Sequence, residues 1–119
     1  MKTKHSLIEN FKFAFEGVAI ALKRGRNIKI MFGFAVLAIV LSFAANINKT
    51  EWVLIVLIIS MVLGLEMLNT ALEALTDLVS PEFHSLAKVA KDMAAGAVLI
   101  CSIASVIIGY LIFLPKLTP

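Results

Sequence analysis

Three long apolar stretches alternate with short charged segments along the chain. They cover residues 30–48, 52–72 and 93–115. A bilayer core about 30 Å thick needs roughly 20 helical residues to cross it. The pattern therefore predicts three transmembrane helices, at about 28–47, 51–72 and 92–114. Because proline cannot continue a helix by the usual hydrogen bond, Pro115 is expected to end the third helix.

A different pattern precedes the first span. Apolar residues recur there at steps of three and four, at Leu7, Phe11, Phe15, Val18 and Leu22. This spacing predicts an amphipathic helix over about 5–24. Next to a membrane span, such a helix either lies in the interface plane or packs on the protein's own spans, and the sequence leaves both open.

Composition agrees with an integral membrane protein. The chain has 119 residues, of which 61% are hydrophobic and 16% charged. Soluble domains have about 45–50% apolar and about 25% charged residues, so a soluble domain and a disordered chain are both excluded. The sequence predicts one all-α membrane domain over residues 1–119, with a surface helix and three spans. Cys101 lies inside the third span and is interpreted as a packing residue.

Basic residues indicate the orientation of the chain in the cell membrane. Nine of the 11 lysines and arginines precede the first span or lie between the second and third spans. The positive-inside rule then places the N-terminus and the 77–92 loop in the cytoplasm. Since orientation accounts for the basic residues, the net charge of +3 gives no support to nucleic-acid binding.

Polar residues interrupt the second span on one helix face. Glu66, Asn69, Glu73 and Asp77 follow one another at steps of 3, 4 and 4. A carboxylate below the membrane interface costs at least a few kcal/mol, so intramembrane acids are candidate functional residues. Glu66 lies 14 residues after Trp52, an aromatic expected at the far interface, and is therefore expected in the inner part of the bilayer.

This stripe suits phosphoryl transfer at a membrane surface. Mg²⁺ is bound by one or two carboxylates together with substrate phosphates. Lys91 and Asp92 return to the same level from the third helix, and a lysine suits a polyphosphate. A carboxylate further inside suits a base acting on the hydroxyl of a lipid. Alternatives remain for single residues: Glu66 as a structural carboxylate, and Asp77 as part of an ordinary wet helix end.

Two runs carry a resemblance to a known family. Residues 66–77 read Glu-Met-Leu-Asn-Thr-Ala-Leu-Glu-Ala-Leu-Thr-Asp, and residues 90–99 begin Ala-Lys-Asp-Met. Both are similar to the signature stretches of the bacterial integral-membrane diacylglycerol and undecaprenol kinases. The resemblance implies a small homotrimeric lipid kinase that uses Mg²⁺ and ATP and has no P-loop. It also implies a membrane lipid as the second substrate, most plausibly undecaprenol.

The resemblance also assigns roles to individual residues. Glu66 would be the general base, with Asn69 orienting the reacting groups, and Glu73 would hold Mg²⁺. The remaining residues implied at the nucleotide site are Phe13, Gly25, Asp77, Glu82, Phe83, His84, Lys91 and Asp92.

Gly25 departs from the family pattern. It stands where the family usually has a glutamate that is a second metal ligand. Weaker Mg²⁺ binding, or water in place of the missing ligand, is the expected consequence. Three other functions therefore stay open: a diacylglycerol kinase, a catalytically impaired relative, and a small proton-coupled transporter. The transporter is disfavoured, because small proton-coupled transporters are expected to have an even number of spans and an essential carboxylate near the membrane midplane, whereas this chain has three predicted spans and a polar stripe near the interface.

Overall fold

The computed structural model describes residues 6–118, and these form four helices with no strand among them. In chain order the helices are α1 (Leu7–Arg24), α2 (Arg26–Ala44), α3 (Lys49–Val79) and α4 (Ser85–Leu117). Three of them, α2, α3 and α4, are long and apolar enough to cross a membrane. The protein is therefore an all-α, multi-pass membrane protein, as its hydrophobic pattern predicts.

The first helix begins at a capping box and ends at a sharp junction. The Ser6 side chain accepts a hydrogen bond from the Glu9 N–H, and the Glu9 carboxylate accepts one from the Ser6 N–H. Gly25 then closes α1 and starts α2 without a helical conformation of its own. Three residues later, Ile28 is 1% exposed, so the junction is a packed point in the protein.

The turn between α2 and α3 is tight and locally satisfied. Asn46 has φ of 52°, in the left-handed region that asparagine tolerates better than most residues. Asn48 then caps α3, since its side chain accepts from the Glu51 N–H at 2.9 Å and Glu51 Oε1 accepts from the Asn48 N–H at 3.0 Å. We call this end of the bundle, around residues 45–48, the far end.

The two longest helices, α3 and α4, form an antiparallel pair joined by residues 80–84, which we call the loop end. The helix α4 continues through Pro115 to Leu117, so the prediction that Pro115 ends the helix is wrong. Pro115 has no N–H to donate to the Leu111 carbonyl, but only two helical residues follow it, so any distortion at the proline affects only the end of α4.

A buried apolar cluster lies at the far end. Ile47, Ile55 and Ile112 form a buried cluster with Trp52 against it. The ring of Phe43 meets that of Trp52 edge-on, with centroids 4.8 Å apart. Elsewhere on the three spans, large apolar side chains are exposed, as expected of surfaces that contact lipid.

Candidate active site on the inner half of α3

The long helix α3 extends beyond the membrane core. At about 1.5 Å per residue its 31 residues make a rod of about 46 Å, against roughly 30 Å of hydrocarbon. The far end of α3 carries Trp52 in its first turn, and Glu66 lies about 21 Å further along. The polar stripe therefore extends from within the bilayer to the interface at the loop end.

Glu66 and Asn69 are buried although both are polar. Glu66 is 4% exposed and Asn69 is 7% exposed. The Asn69 amide donates to Glu73 Oε1 at 3.1 Å, and the Glu66 carboxyl interacts with Asn69 and with the charge of Glu73. The three side chains thus form one connected group on one face of α3.

One atom of this group lacks a partner among the described residues. Asn69 Oδ1 is buried and accepts no hydrogen bond from them. Neighbouring hydroxyls on the same helix are satisfied locally, since Thr70 donates to the Glu66 carbonyl at 3.0 Å and Thr76 donates to the Leu72 carbonyl at 2.7 Å. A buried acceptor without a donor is costly, so an oxygen left in this state is a good candidate for contact with a ligand.

A second polar group lies at the loop end. A pocket of about 350 Å³ opens there between the end of α3 and the start of α4. Lys91 pairs with Asp77 across the two helices, and Lys88 pairs with Asp92 along α4. The structure brings together six residues predicted for the nucleotide site: Asp77, Glu82, Phe83, His84, Lys91 and Asp92.

Two other predicted residues lie apart from this pocket. Phe13 is on α1 and Gly25 is at the α1–α2 junction, and neither lines the loop-end pocket. Among the described residues, no three acidic, histidine or cysteine side chains come close enough to form a metal cluster.

Gly25 is enclosed rather than open. A Cβ atom at this position would lie 2.7 Å from Ile28 Cγ2 and 3.0 Å from the Ala21 carbonyl oxygen. Since real Cβ contacts are not so short, any side chain here would have to displace Ile28. The space beside residue 25, where the resemblance implies a glutamate in the family, is thus filled by the side chain of Ile28 from the first turn of α2.

Two features of the loop end escape the sequence analysis. His84 is the N-cap of α4, and its Nδ1 accepts from the Leu86 N–H at 3.1 Å. Lys88, one of the basic residues that indicated the orientation of the chain, lines the loop-end pocket. The sequence holds a signal for each feature. Pro81 marks a helix boundary close to His84, and the spacing of four between Lys88 and Asp92 predicts that the two side chains can pair on a helix.

Comparison with known proteins places this geometry in context. The sequence profile of the family described as prokaryotic diacylglycerol kinase matches residues 12–113. The chain belongs to this family. All the candidate site residues, from Phe13 to Asp92, lie inside the matched region.

Several relatives are named as lipid kinases. The undecaprenol kinase of Bacillus subtilis is 40% identical over 109 residues, which cover 92% of this chain and 89% of the relative. The diacylglycerol kinase of Synechocystis is 40% identical over 113 residues, covering 94% of this chain and 65% of that protein. The diacylglycerol kinase of Escherichia coli K12 is 40% identical over 76 residues, covering 63% and 62%. Membership makes this chain a membrane lipid kinase, with ATP as the phosphate donor that a kinase requires.

Proposed function

We propose that this lipid kinase transfers the γ-phosphoryl group of ATP to the hydroxyl of undecaprenol at the cytoplasmic face of the membrane. The observation that carries the proposal is the buried group of Glu66 and Asn69, connected to Glu73 on one face of α3. A lipid hydroxyl approaches from the bilayer and a nucleotide from the water. The stripe on α3 extends between these two environments.

Undecaprenol is favoured over diacylglycerol by the extent of the likeness. The undecaprenol kinase is 40% identical over about nine tenths of both proteins. The two diacylglycerol kinases compared above reach 40% only over 65% and 62% of their lengths, and the diacylglycerol kinase of Haemophilus influenzae, matched over 92% of its length, is 30% identical.

Glu66 is proposed as the general base. Its carboxylate takes the proton of the lipid hydroxyl as that oxygen attacks the γ-phosphorus. The new oxygen–phosphorus bond forms while the bond between the γ-phosphorus and the β,γ-bridging oxygen breaks, and ADP leaves with the electron pair. Asn69 holds Glu73 through its amide, which leaves Oδ1 to accept a hydrogen bond from the substrate side of the site.

Magnesium fits the donors on this face. Glu73 and Asn69 supply oxygen atoms, the ligand type that Mg²⁺ prefers, and Mg²⁺ completes its shell with waters and substrate phosphates rather than needing three protein acids. When bound, Mg²⁺ would neutralise charge on the transferring phosphoryl group. Because Gly25 offers no carboxylate, we infer that more of this shell is water than in relatives with an acid there.

The loop-end pocket is proposed as the site of the remaining phosphates and the nucleoside. Lys91 is proposed as its phosphate ligand, because its partly exposed pair with Asp77 joins the two helices that form the pocket, whereas Lys88 pairs with Asp92 along α4 alone. An exposed pair of this kind contributes little stability, so exchange of Asp77 for phosphate oxygens costs little. This placement also requires the loop end to be cytoplasmic, in agreement with the distribution of basic residues.

Assembly as a homotrimer belongs to the same proposal. Residues 94–97 of α4 are all alanine or glycine, and a Cβ at Gly96 would meet nothing within 4 Å. Small residues let transmembrane helices approach closely, so this surface suits contact with a second copy. Cross-linking of the detergent-solubilised protein should give species up to a trimer.

An assay with purified protein tests the proposed function. Labelled ATP is offered with undecaprenol or diacylglycerol, each at matched concentration in mixed micelles with Mg²⁺. We expect transfer to both lipid alcohols or to undecaprenol alone, a higher kcat/KM for undecaprenol, and loss of transfer when Mg²⁺ is chelated. Preference for diacylglycerol would reverse the substrate assignment. If neither lipid is phosphorylated under conditions where an active relative works, the result would support the alternative that Gly25 leaves the enzyme catalytically impaired.

A further inference from the structure

An apolar groove lies beside the proposed active site. Its accessible volume is about 470 Å³, with α3 as the floor and α2 and α4 as the walls. Ile55 and Ile58 of the floor are buried, whereas Phe34 and Val106 at the walls are exposed. The groove exists because α2 and α4 each pack mainly on α3 and only slightly on each other.

The lining makes almost no demand for hydrogen bonds. Two serines line it, Ser102 and Ser105. The Ser105 hydroxyl already donates a hydrogen bond to the Ser102 carbonyl at 2.6 Å. The other lining residues are apolar. A hydrocarbon chain fits such a surface, and water within a bilayer does not.

The groove and the catalytic stripe share one face of α3. Ile55, Ile59 and Val62 line the groove at steps of four and three, and the next residue in that series is Glu66. One face of a single helix is therefore apolar from the far end to Val62 and polar from Glu66 to the loop end. A lipid alcohol has the same order of parts, with a hydrocarbon tail joined to one hydroxyl.

We propose that the groove binds the hydrocarbon tail of the lipid alcohol, with the tail's hydroxyl end at Glu66. This inference rests on the proposed function, to which it adds a tail-binding subsite. The groove extends over 12 residues of α2, from Ile30 to Leu41, and the 11 steps between them span about 16 Å. That is about half of the roughly 30 Å hydrocarbon core, so the groove holds the part of the tail nearest the hydroxyl.

Ala38 and Gly109 set the free width of this subsite. They line facing walls, on α2 and α4. Ala38 lies eight residues beyond Ile30 and Gly109 seven residues beyond Ser102, and since Ile30 and Ser102 are the inner ends of the two walls, Ala38 and Gly109 lie at similar depth. Since tail and bilayer are equally apolar, selection of a tail depends on close packing rather than on the hydrophobic effect. A large side chain at either position should therefore exclude the tail.

A series of prenols of 5, 10, 20 and 55 carbons tests the subsite through catalysis. In the wild type, kcat/KM should rise from 5 to 20 carbons and then level off, because only the first part of the tail contacts the groove. In Ala38→Phe and Gly109→Leu this rise in kcat/KM should be about tenfold smaller than in the wild type. Val36→Phe, on the exposed face of α2, is the matched control. A variant that still shows the full rise would overturn the subsite.

Photolabelling provides a readout that does not depend on turnover. A 20-carbon prenol with a terminal diazirine is irradiated with the protein in micelles, and the labelled peptides are mapped by mass spectrometry. Labels should concentrate on residues 34–41 and 102–113 and be lost in Ala38→Phe. Even labelling of all exposed residues on the spans would contradict the proposal. Loss of the oligomer in Ala38→Phe would also contradict it, because the groove would then be closed by a second copy of the chain. Absence of phosphoryl transfer with correct labelling would contradict only the proposed function.

Discussion

The two halves of α3 both carry a carboxylate near the membrane, and the chain treats them in opposite ways. At the far end, Glu51 accepts a backbone hydrogen bond from Asn48 at 3.0 Å and pairs with Lys116 at 3.4 Å. In the inner half, Glu66 is buried beside Asn69, and Asn69 Oδ1 has no partner among the described residues. The far-end carboxylate therefore has its hydrogen-bond and ion-pair partners within the chain, whereas the group in the proposed site keeps a hydrogen-bond acceptor available for a ligand.

Packing differs between the two halves in the same sense. The far end holds the buried cluster of Ile47, Ile55 and Ile112 and the edge contact of Phe43 with Trp52. The loop end has exposed ion pairs and an open pocket instead. We infer that the far end fixes the spacing of the helices, so that the loop end can admit and release a nucleotide.

Removal of one carboxylate from each half of α3 tests most directly whether the two halves differ in function. Glu66→Gln keeps the shape of the side chain but cannot take a proton, so we expect phosphoryl transfer to fall by about 10²–10⁴-fold. Glu51→Gln is the matched control on the same helix and should keep near wild-type turnover. Initial rates and binding of a fluorescent ATP analogue should be measured for both. Retained turnover in Glu66→Gln, with intact folding, would remove Glu66 from the role of base.

Lys91 gives the next largest effect. A charged hydrogen bond is worth about 1.5–3 kcal/mol, so Lys91→Gln should raise the KM for ATP at least tenfold and leave the KM for the lipid alcohol unchanged. Lys88→Gln is the control, because Lys88 lines the same pocket but pairs with Asp92 on its own helix. Equal changes in the two KM values of Lys91→Gln would indicate a general loss of structure instead of a lost phosphate contact.

Gly25 tests whether the missing acid limits the enzyme. Gly25→Glu alone should destabilise the protein by about 1–3 kcal/mol, because its Cβ would overlap Ile28 Cγ2. Combining it with Ile28→Leu removes the methyl group on Cβ and should recover thermal stability. The double variant should then reach half-maximal activity at several-fold lower Mg²⁺ than Ile28→Leu alone. Identical Mg²⁺ titrations would show that residue 25 does not face the metal in this protein.

Much of the fold and part of the site follow from the sequence. The three membrane helices follow from runs of apolar residues, and the stripe on α3 follows from spacings of three and four, because both depend only on helix periodicity. The amphipathic spacing before the first span likewise corresponds to α1.

Features that depend on contacts between helices could not be read in this way. The enclosure of Gly25 by Ile28, the loop-end pocket and the groove all arise from how α2, α3 and α4 pack. The continuation of α4 through Pro115 was also missed, since the cost of proline depends on how many helical residues follow it. The catalytic roles of Glu66, Asn69 and Glu73 stay predictions.

The ion pair of Glu51 with Lys116 should have the smallest effect of all. Their side chains are 19% and 32% exposed, and a pair of this kind contributes at most about 1 kcal/mol. Lys116→Gln should therefore lower the unfolding temperature by only a few degrees and leave turnover and both KM values unchanged. Thermal unfolding in micelles and the kinase assay measure the two effects separately. A large loss of turnover would mean that the far end transmits its geometry to the site, and the division of α3 into a structural and a functional half would have to be abandoned.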